Sequence, residues 1–168
     1  MKKYILLVLF LCACDVTQPE MPKRIPSYPQ YLKTADAFVG FNERTNRSEL
    51  KQFMKVDPVY YEWCAAFVNA VLHVNTIEGS ESVSENPLMA RSFLTWGEKV
   101  DKPRLGDIVV FPRGNQGWQG HVGFYINTQV VDGVTYFVIL GGNQDDEVSY
   151  ELYPAATALS IRRWAQSQ

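Results

Sequence analysis

Cys64 and His121 are the pair of side chains in this sequence best suited to nucleophilic chemistry. A thiol attacks only as its thiolate, and a helix N-terminus and a nearby imidazole are the usual means of producing one. Cys64 opens the apolar run "CAAFVNAVL", and His121 lies in "WQGHVGFYI" at the start of a β-rich stretch. The other histidine, His73, is nine residues beyond Cys64, about 13 Å along a helix axis and out of reach as a base. Such a pair works better with a third polar group that fixes the imidazole's tautomer. Asn143, after two glycines in "FVILGGNQDD", is the first choice for this group and Gln144 the reserve. Each residue also has a plainer reading: a small buried hydrophobe for Cys64, a strand-end histidine for His121 and an ordinary Gly-Gly-Asn turn for Asn143.

The elements that must position these groups fall into two halves. "YLKTADAFVGFNE" reads as a helix stopped by Gly40, and "NRSELKQFMKV" as a second helix capped by Asn46 or Ser48. The Cys64 segment is apolar around most of its circumference, as expected of a helix in the centre of a domain. Two starts are compatible with it: near Glu62 or Trp63, which puts Cys64 at the positive helix end, or at Asp57-Pro58, which puts it inside the second turn. "NPLMARSFLTWG" reads as a fourth helix. Thereafter "GDIVVFP", "HVGFYINT", "VTYFVILGG", "EVSYELY" and "ALSIRRW" read as strands, with Asp132-Gly133 as a hairpin turn. Helices followed by strands predict an α+β fold, an antiparallel sheet packed on the central helix.

The first residues read as an address. "MKKYILLVLFLCAC" has a basic start, an apolar run and small residues at its end, and its uncharged part spans only about 15 Å as a helix, too short for a permanent membrane crossing. Leu11-Cys12-Ala13-Cys14 resembles the bacterial lipobox, which predicts a signal peptide over 1–13 and lipidation of Cys14. Asp15 favours the inner membrane, facing the periplasm. Four prolines among polar residues make 14–30 an extended tether, and 31–168 is left for one domain. With Cys12 removed and Cys14 lipidated, Cys64 is an unpaired thiol in an oxidising compartment. Loss of Lys2 and Lys3 leaves 14 basic and 18 acidic residues, a net charge of −4 that offers nucleic acid no footprint.

The blocks "WCAAFVNAVL", "ARSFLTWG", "GDIVVFPRGNQGWQGHVGFYI" and "VILGGNQDDEVSYELYP" resemble, in order and spacing, the NlpC/P60-related and CHAP-type cell-wall hydrolases. Within these the chain is similar to a small subfamily carrying "PWCAAFVN", "GWQGHVGFY" and "LGGNQ". The resemblance covers about 31–163. It implies a papain-like α+β fold with Cys64 as nucleophile, His121 as base and Asn143 in the third position. Peptidoglycan stem peptides are the implied substrate. Two positions depart from the wider family. A glutamate common two residues before the asparagine is here Gly141, and Trp63 precedes the cysteine in place of Asp or Gln.

The implied chemistry is acyl transfer from a peptide or amide bond through a Cys-His-Asn triad, in a monomer that needs no cofactor. Trp63, Trp118 and Gln144 are candidates to contact substrate, with packing as the alternative role of the two tryptophans. Two distant histidines and one available thiol do not make a zinc site, and "DDE" at 145–147 reads as a solvated turn rather than a calcium loop. The competing expectation, raised by the missing acid at Gly141, is an inactive peptidoglycan-binding lipoprotein of the same fold.

Overall fold

In the computed structural model, residues 28–165 are described, so the expected signal peptide, Cys14, Asp15 and nearly all of the expected tether lie outside the described residues. Three helices come first: α1 (Gln30–Asp36), α2 (Arg47–Met54) and α3 (Cys64–Val74). Six strands follow: β1 (Glu98–Val100), β2 (Ile108–Pro112), β3 (Gly120–Val131), β4 (Val134–Gln144), β5 (Glu147–Pro154) and β6 (Ser160–Arg163). They form one antiparallel sheet in the order β1-β6-β2-β3-β4-β5. This is the expected α+β architecture, consistent with a papain-like fold.

The apolar circumference of α3 is explained by its neighbours. The residues from Cys64 to Leu72 are all buried, with α1 and α2 on one side and β3 and β4 on the other. Val122, Phe124 and Leu140 face α3, while Phe111, Tyr125 and Ile139 form a second apolar cluster with Tyr153 against its edge. The alternation of β3 and β4 thus feeds two faces of one sheet. Close helix-to-sheet contact depends on Gly142, where a Cβ would lie 2.4 Å from Trp63 Cζ3 and 2.9 Å from Phe67 Cβ.

Turn chemistry sets the register. Asp132 and Gly133 both take positive φ between β3 and β4, as a two-residue hairpin turn requires. Asp145 and Asp146 do the same between β4 and β5, so the acidic run at 145–147 is a hairpin turn.

Two local expectations are corrected, and one strand is added. Helix α1 ends at Asp36, before Gly40, because the chain is drawn onto the sheet: Gly40 N–H donates to Val148 O (2.9 Å) and Val148 N–H to Phe41 O (3.0 Å). The expected fourth helix is a 3₁₀ turn over Ala90–Leu94. Its buried apolar residues, Ala90 and Phe93, are three apart, and Trp96, two residues beyond its end, continues the spacing. Strand β1 was not expected; it is three residues long and two of them are charged, features that suit an exposed sheet edge.

Candidate active site

Helix α3 begins at Cys64, with Trp63 as its N-cap at φ −119°. The later of the two possible starts is therefore the one adopted. Asp57 and Pro58 lie in a separate turn, where Arg47 and Lys51 hold the Asp57 carboxylate at 2.8 and 3.0 Å. Cys64 thus occupies the first helical position, where unpaired backbone N–H groups and the helix dipole favour negative charge. Burial pushes the thiol pKa up. The Arg113 guanidinium and the Val122 and Ala65 backbone N–H groups pull the other way. Cys64 shares the buried cluster between α3 and the sheet with Val122, the residue after His121.

His121 is fully buried on the face of the sheet away from α3, and the structure makes no hydrogen bond between it and the Cys64 thiol. Its ring stacks on Tyr153 at 5.0 Å and 11°, and Tyr153 stacks in turn on Phe111, which is paired with His121 across β2 and β3. Burial, helped by the charge of Arg113, holds the imidazole pKa down at about 3, against an opposing contribution from Gln144. The ring is therefore neutral at physiological pH.

The tautomer follows from the network around Gln144. Its Nε2 donates to Ser149 O (2.7 Å) and Ser149 Oγ (3.1 Å), which leaves Oε1 as the group facing His121 Nε2 at 2.9 Å. An amide oxygen only accepts, so His121 Nε2 carries the proton and Nδ1 carries the lone pair. Nδ1 is buried and has no hydrogen-bond partner. The structure thus holds a neutral imidazole with one aligned nitrogen and one free basic nitrogen, on the strand whose Val122 shares the Cys64 cluster.

Gln144, rather than Asn143, meets the ring. Strict alternation along β4 would carry the His121 face from Ile139 through Gly141 to Asn143. The register shifts between Gly141 and Gln144, however, and Asn143 takes φ +59°. This bulge moves the inward position on by one residue. The Asn143 side chain points instead to Glu62, its Nδ2 donating to Oε2 at 2.7 Å. Gly141 is part of the same arrangement: a Cβ there would lie 2.9 Å from Gln144 Oε1 and 3.3 Å from His121 Nε2. The amide of Gln144 fills the space beside the ring that a side chain at 141 would enter.

The two tryptophans separate. Trp63 is fully buried, its indole N–H donating to Glu43 Oε2 at 3.1 Å, so it is a packing residue and lines no groove. Trp118 is 61% exposed on the loop that leads into β3. His73 pairs with Glu81 at 2.6 Å at the other end of α3. Among the described residues no three His, Cys, Asp or Glu side chains gather as metal ligands.

Sequence reasoning missed Arg113. It follows β2, donates from Nη2 to Asn143 O (2.9 Å) and lies 3.7 Å from Glu62 Oε2 through Nη1. It therefore joins the segment before Cys64 to the segment before Gln144. Within "FPRGNQG" it reads as a loop cation, and only the fold brings it to the site.

A family model of the CHAP domain matches residues 56–143, just over half of the chain. The chain belongs to the CHAP domain family. This is generally a family of cysteine-dependent amidases and peptidases directed at peptidoglycan. The match takes in Cys64, Arg113, His121 and Asn143 and stops one residue before Gln144. No curated protein matches the chain.

Proposed function

We propose that this CHAP domain is a cysteine hydrolase that cuts a peptide or amide bond in peptidoglycan through Cys64, His121 and Gln144. The observation that carries the reading is the fixed imidazole. Gln144 engages Nε2–H and leaves Nδ1 as a lone pair without a partner, one residue before Val122, which packs in the same buried cluster as Cys64.

The resting pair is neutral on both sides: burial raises the thiol and depresses the imidazole. The two groups are not hydrogen-bonded at rest, so turnover requires the Cys64 thiol and His121 Nδ1 to come together; Nδ1 then takes the thiol proton as the sulfur bonds to the substrate carbonyl carbon. The Cys64 backbone N–H, at the free end of α3, is the candidate donor to the resulting oxyanion. Collapse expels the amine, which receives its proton from His121 Nδ1–H and leaves a thioester. His121, neutral again, then takes a proton from water as its oxygen attacks the thioester, and the thiol is regenerated. Throughout, Gln144 keeps the ring in one orientation, and a protonated ring gains from its amide oxygen.

Anchorage belongs to the same proposal. A lipid on Cys14 and an extended 14–30 segment would tether the domain to the periplasmic side of the bacterial inner membrane, within reach of the wall. Trp118, exposed beside the strand that carries His121, is the aromatic available to substrate.

One observation favours a second reading, a peptidoglycan-binding domain that does not turn over. Cys64 is 3% exposed and its pKa is raised, as for an inert structural thiol. Digestion of purified sacculi, followed by mass spectrometry of the soluble fragments, separates the two. The hydrolase reading expects fragments from the wild type and none from Cys64→Ala. Fragments from neither protein, with both bound to sacculi, would establish the binding reading. The fragment ends distinguish cleavage within the stem from cleavage of the sugar–peptide amide.

A further inference from the structure

We propose that Arg113 is the anion-recognition residue of this site, taking a carboxylate that the substrate carries beside its scissile acyl group in exchange for Glu62. The inference rests on Cys64 being the nucleophile and adds to that reading the charge of the group bound next to it.

Arg113 contacts residues close in the chain to Cys64 and to Gln144 and lies two residues beyond the strand partner of His121. It follows β2, whose Phe111 pairs with His121; its Nη2 holds Asn143 O at 2.9 Å, one residue before Gln144; and its Nη1 faces Glu62, two residues before Cys64. Its charge also bears on both the thiol and the imidazole. A guanidinium has five N–H donors. The strong bond to Asn143 O uses one of them, and the side chain is 33% exposed.

The present anion partner is weakly held. Glu62 Oε2 is 3.7 Å from Arg113 Nη1 and its side chain is 81% exposed. The same oxygen accepts from Asn143 Nδ2 at 2.7 Å. An exposed ion pair of this kind contributes little, so its exchange for another carboxylate is close to neutral. A planar guanidinium binds carboxylates in a two-bond fork, which suits it to orient a substrate as well as attract it. Glu62 thus acts as a placeholder that keeps the guanidinium aimed while the site is empty.

Iodoacetate and iodoacetamide test this directly, because they alkylate the same sulfur and differ in charge. Rates would be measured on the full chain at about pH 8, where His121 is neutral, and read by mass spectrometry on the peptide containing Cys64. The urea-unfolded chain gives the reference ratio of the two rates. The wild type is expected to favour iodoacetate over that reference by roughly three- to tenfold. Arg113→Gln should return the ratio to the reference, Arg113→Lys should keep most of the preference, and Glu62→Gln should raise it. A wild-type ratio equal to the reference, or one unchanged in Arg113→Gln, overturns this inference and leaves the nucleophile in place. Inertness of native Cys64 to both reagents overturns the nucleophile reading and this one with it. If Arg113→Gln does not fold, the exposed Glu62→Gln variant decides, an unchanged or lowered ratio overturning the inference.

Discussion

Gln144 Oε1 lies 2.9 Å from His121 Nε2 while Gln144 Nε2 donates to Ser149 O and Oγ. The amide cannot turn over without presenting a donor to a donor and abandoning Ser149, so it reads only one tautomer of the ring. Gln144→Ala should therefore lower kcat on peptidoglycan by about 100-fold while leaving KM nearly unchanged. Asn143→Gly, which keeps the left-handed backbone and removes a side chain that never meets the ring, should cost far less. Equal losses in the two variants would show that Gln144 has no special relation to the imidazole.

Gly141 and Gly142 face opposite sides of the sheet, and their substitutions should fail in different ways. Gly141→Ala pushes a methyl into the gap between Gln144 Oε1 and His121 Nε2, so the expected result is lost activity with a modest change in the urea midpoint. Gly142→Ala drives a methyl into the buried Trp63 ring. Neither the ring nor α3 can retreat cheaply from a contact of 2.4 Å, and a destabilisation of about 3 kcal/mol is expected by urea unfolding.

His121 should leave a mark on stability as a function of pH. Its folded pKa, about 3, is below its ordinary value of 6.5, so between these limits the unfolded chain binds a proton that the native chain excludes. Stability is fully present above pH 6.5 and falls as the pH drops toward 3, by up to roughly 5 kcal/mol in all. Asp57, whose carboxylate is held below its ordinary 3.8 by Arg47, Lys51 and the Val59 N–H, loses its contribution only further into acid. Urea titrations between pH 7 and pH 4 should thus show a slope in the wild type that flattens in His121→Asn. An unchanged slope in that variant would place the loss elsewhere.

How much of this was legible beforehand depends on the kind of signal. An apolar helix with a cysteine at its head and a histidine opening a β-branched strand are local patterns, and both hold because α3 is packed on two sides and His121 is the second residue of β3. The choice between Asn143 and Gln144 turned on a single inserted residue. Alternation favours Asn143 until a residue at positive φ shifts the count, and Asn is one of the few side chains that accepts that φ in any context. The 3₁₀ turn at 90–94 was misread because periods of 3.0 and 3.6 are hard to tell apart over two turns. Arg113 was invisible for a different reason: its partners are 30 and 51 residues away in the chain, and a lone arginine in a glycine-rich loop has no pattern of its own.

The covalent step itself can be intercepted. Hydroxylamine attacks thioesters and converts an acyl-enzyme into an acyl hydroxamate, so sacculi digested in its presence report the intermediate through the chemistry of the released ends. Fragments ending partly in hydroxamate are expected with the wild type, and no fragments of either kind with Cys64→Ala. Wild-type fragments that end only in free carboxylate, or the same fragments released by Cys64→Ala, would contradict the covalent step.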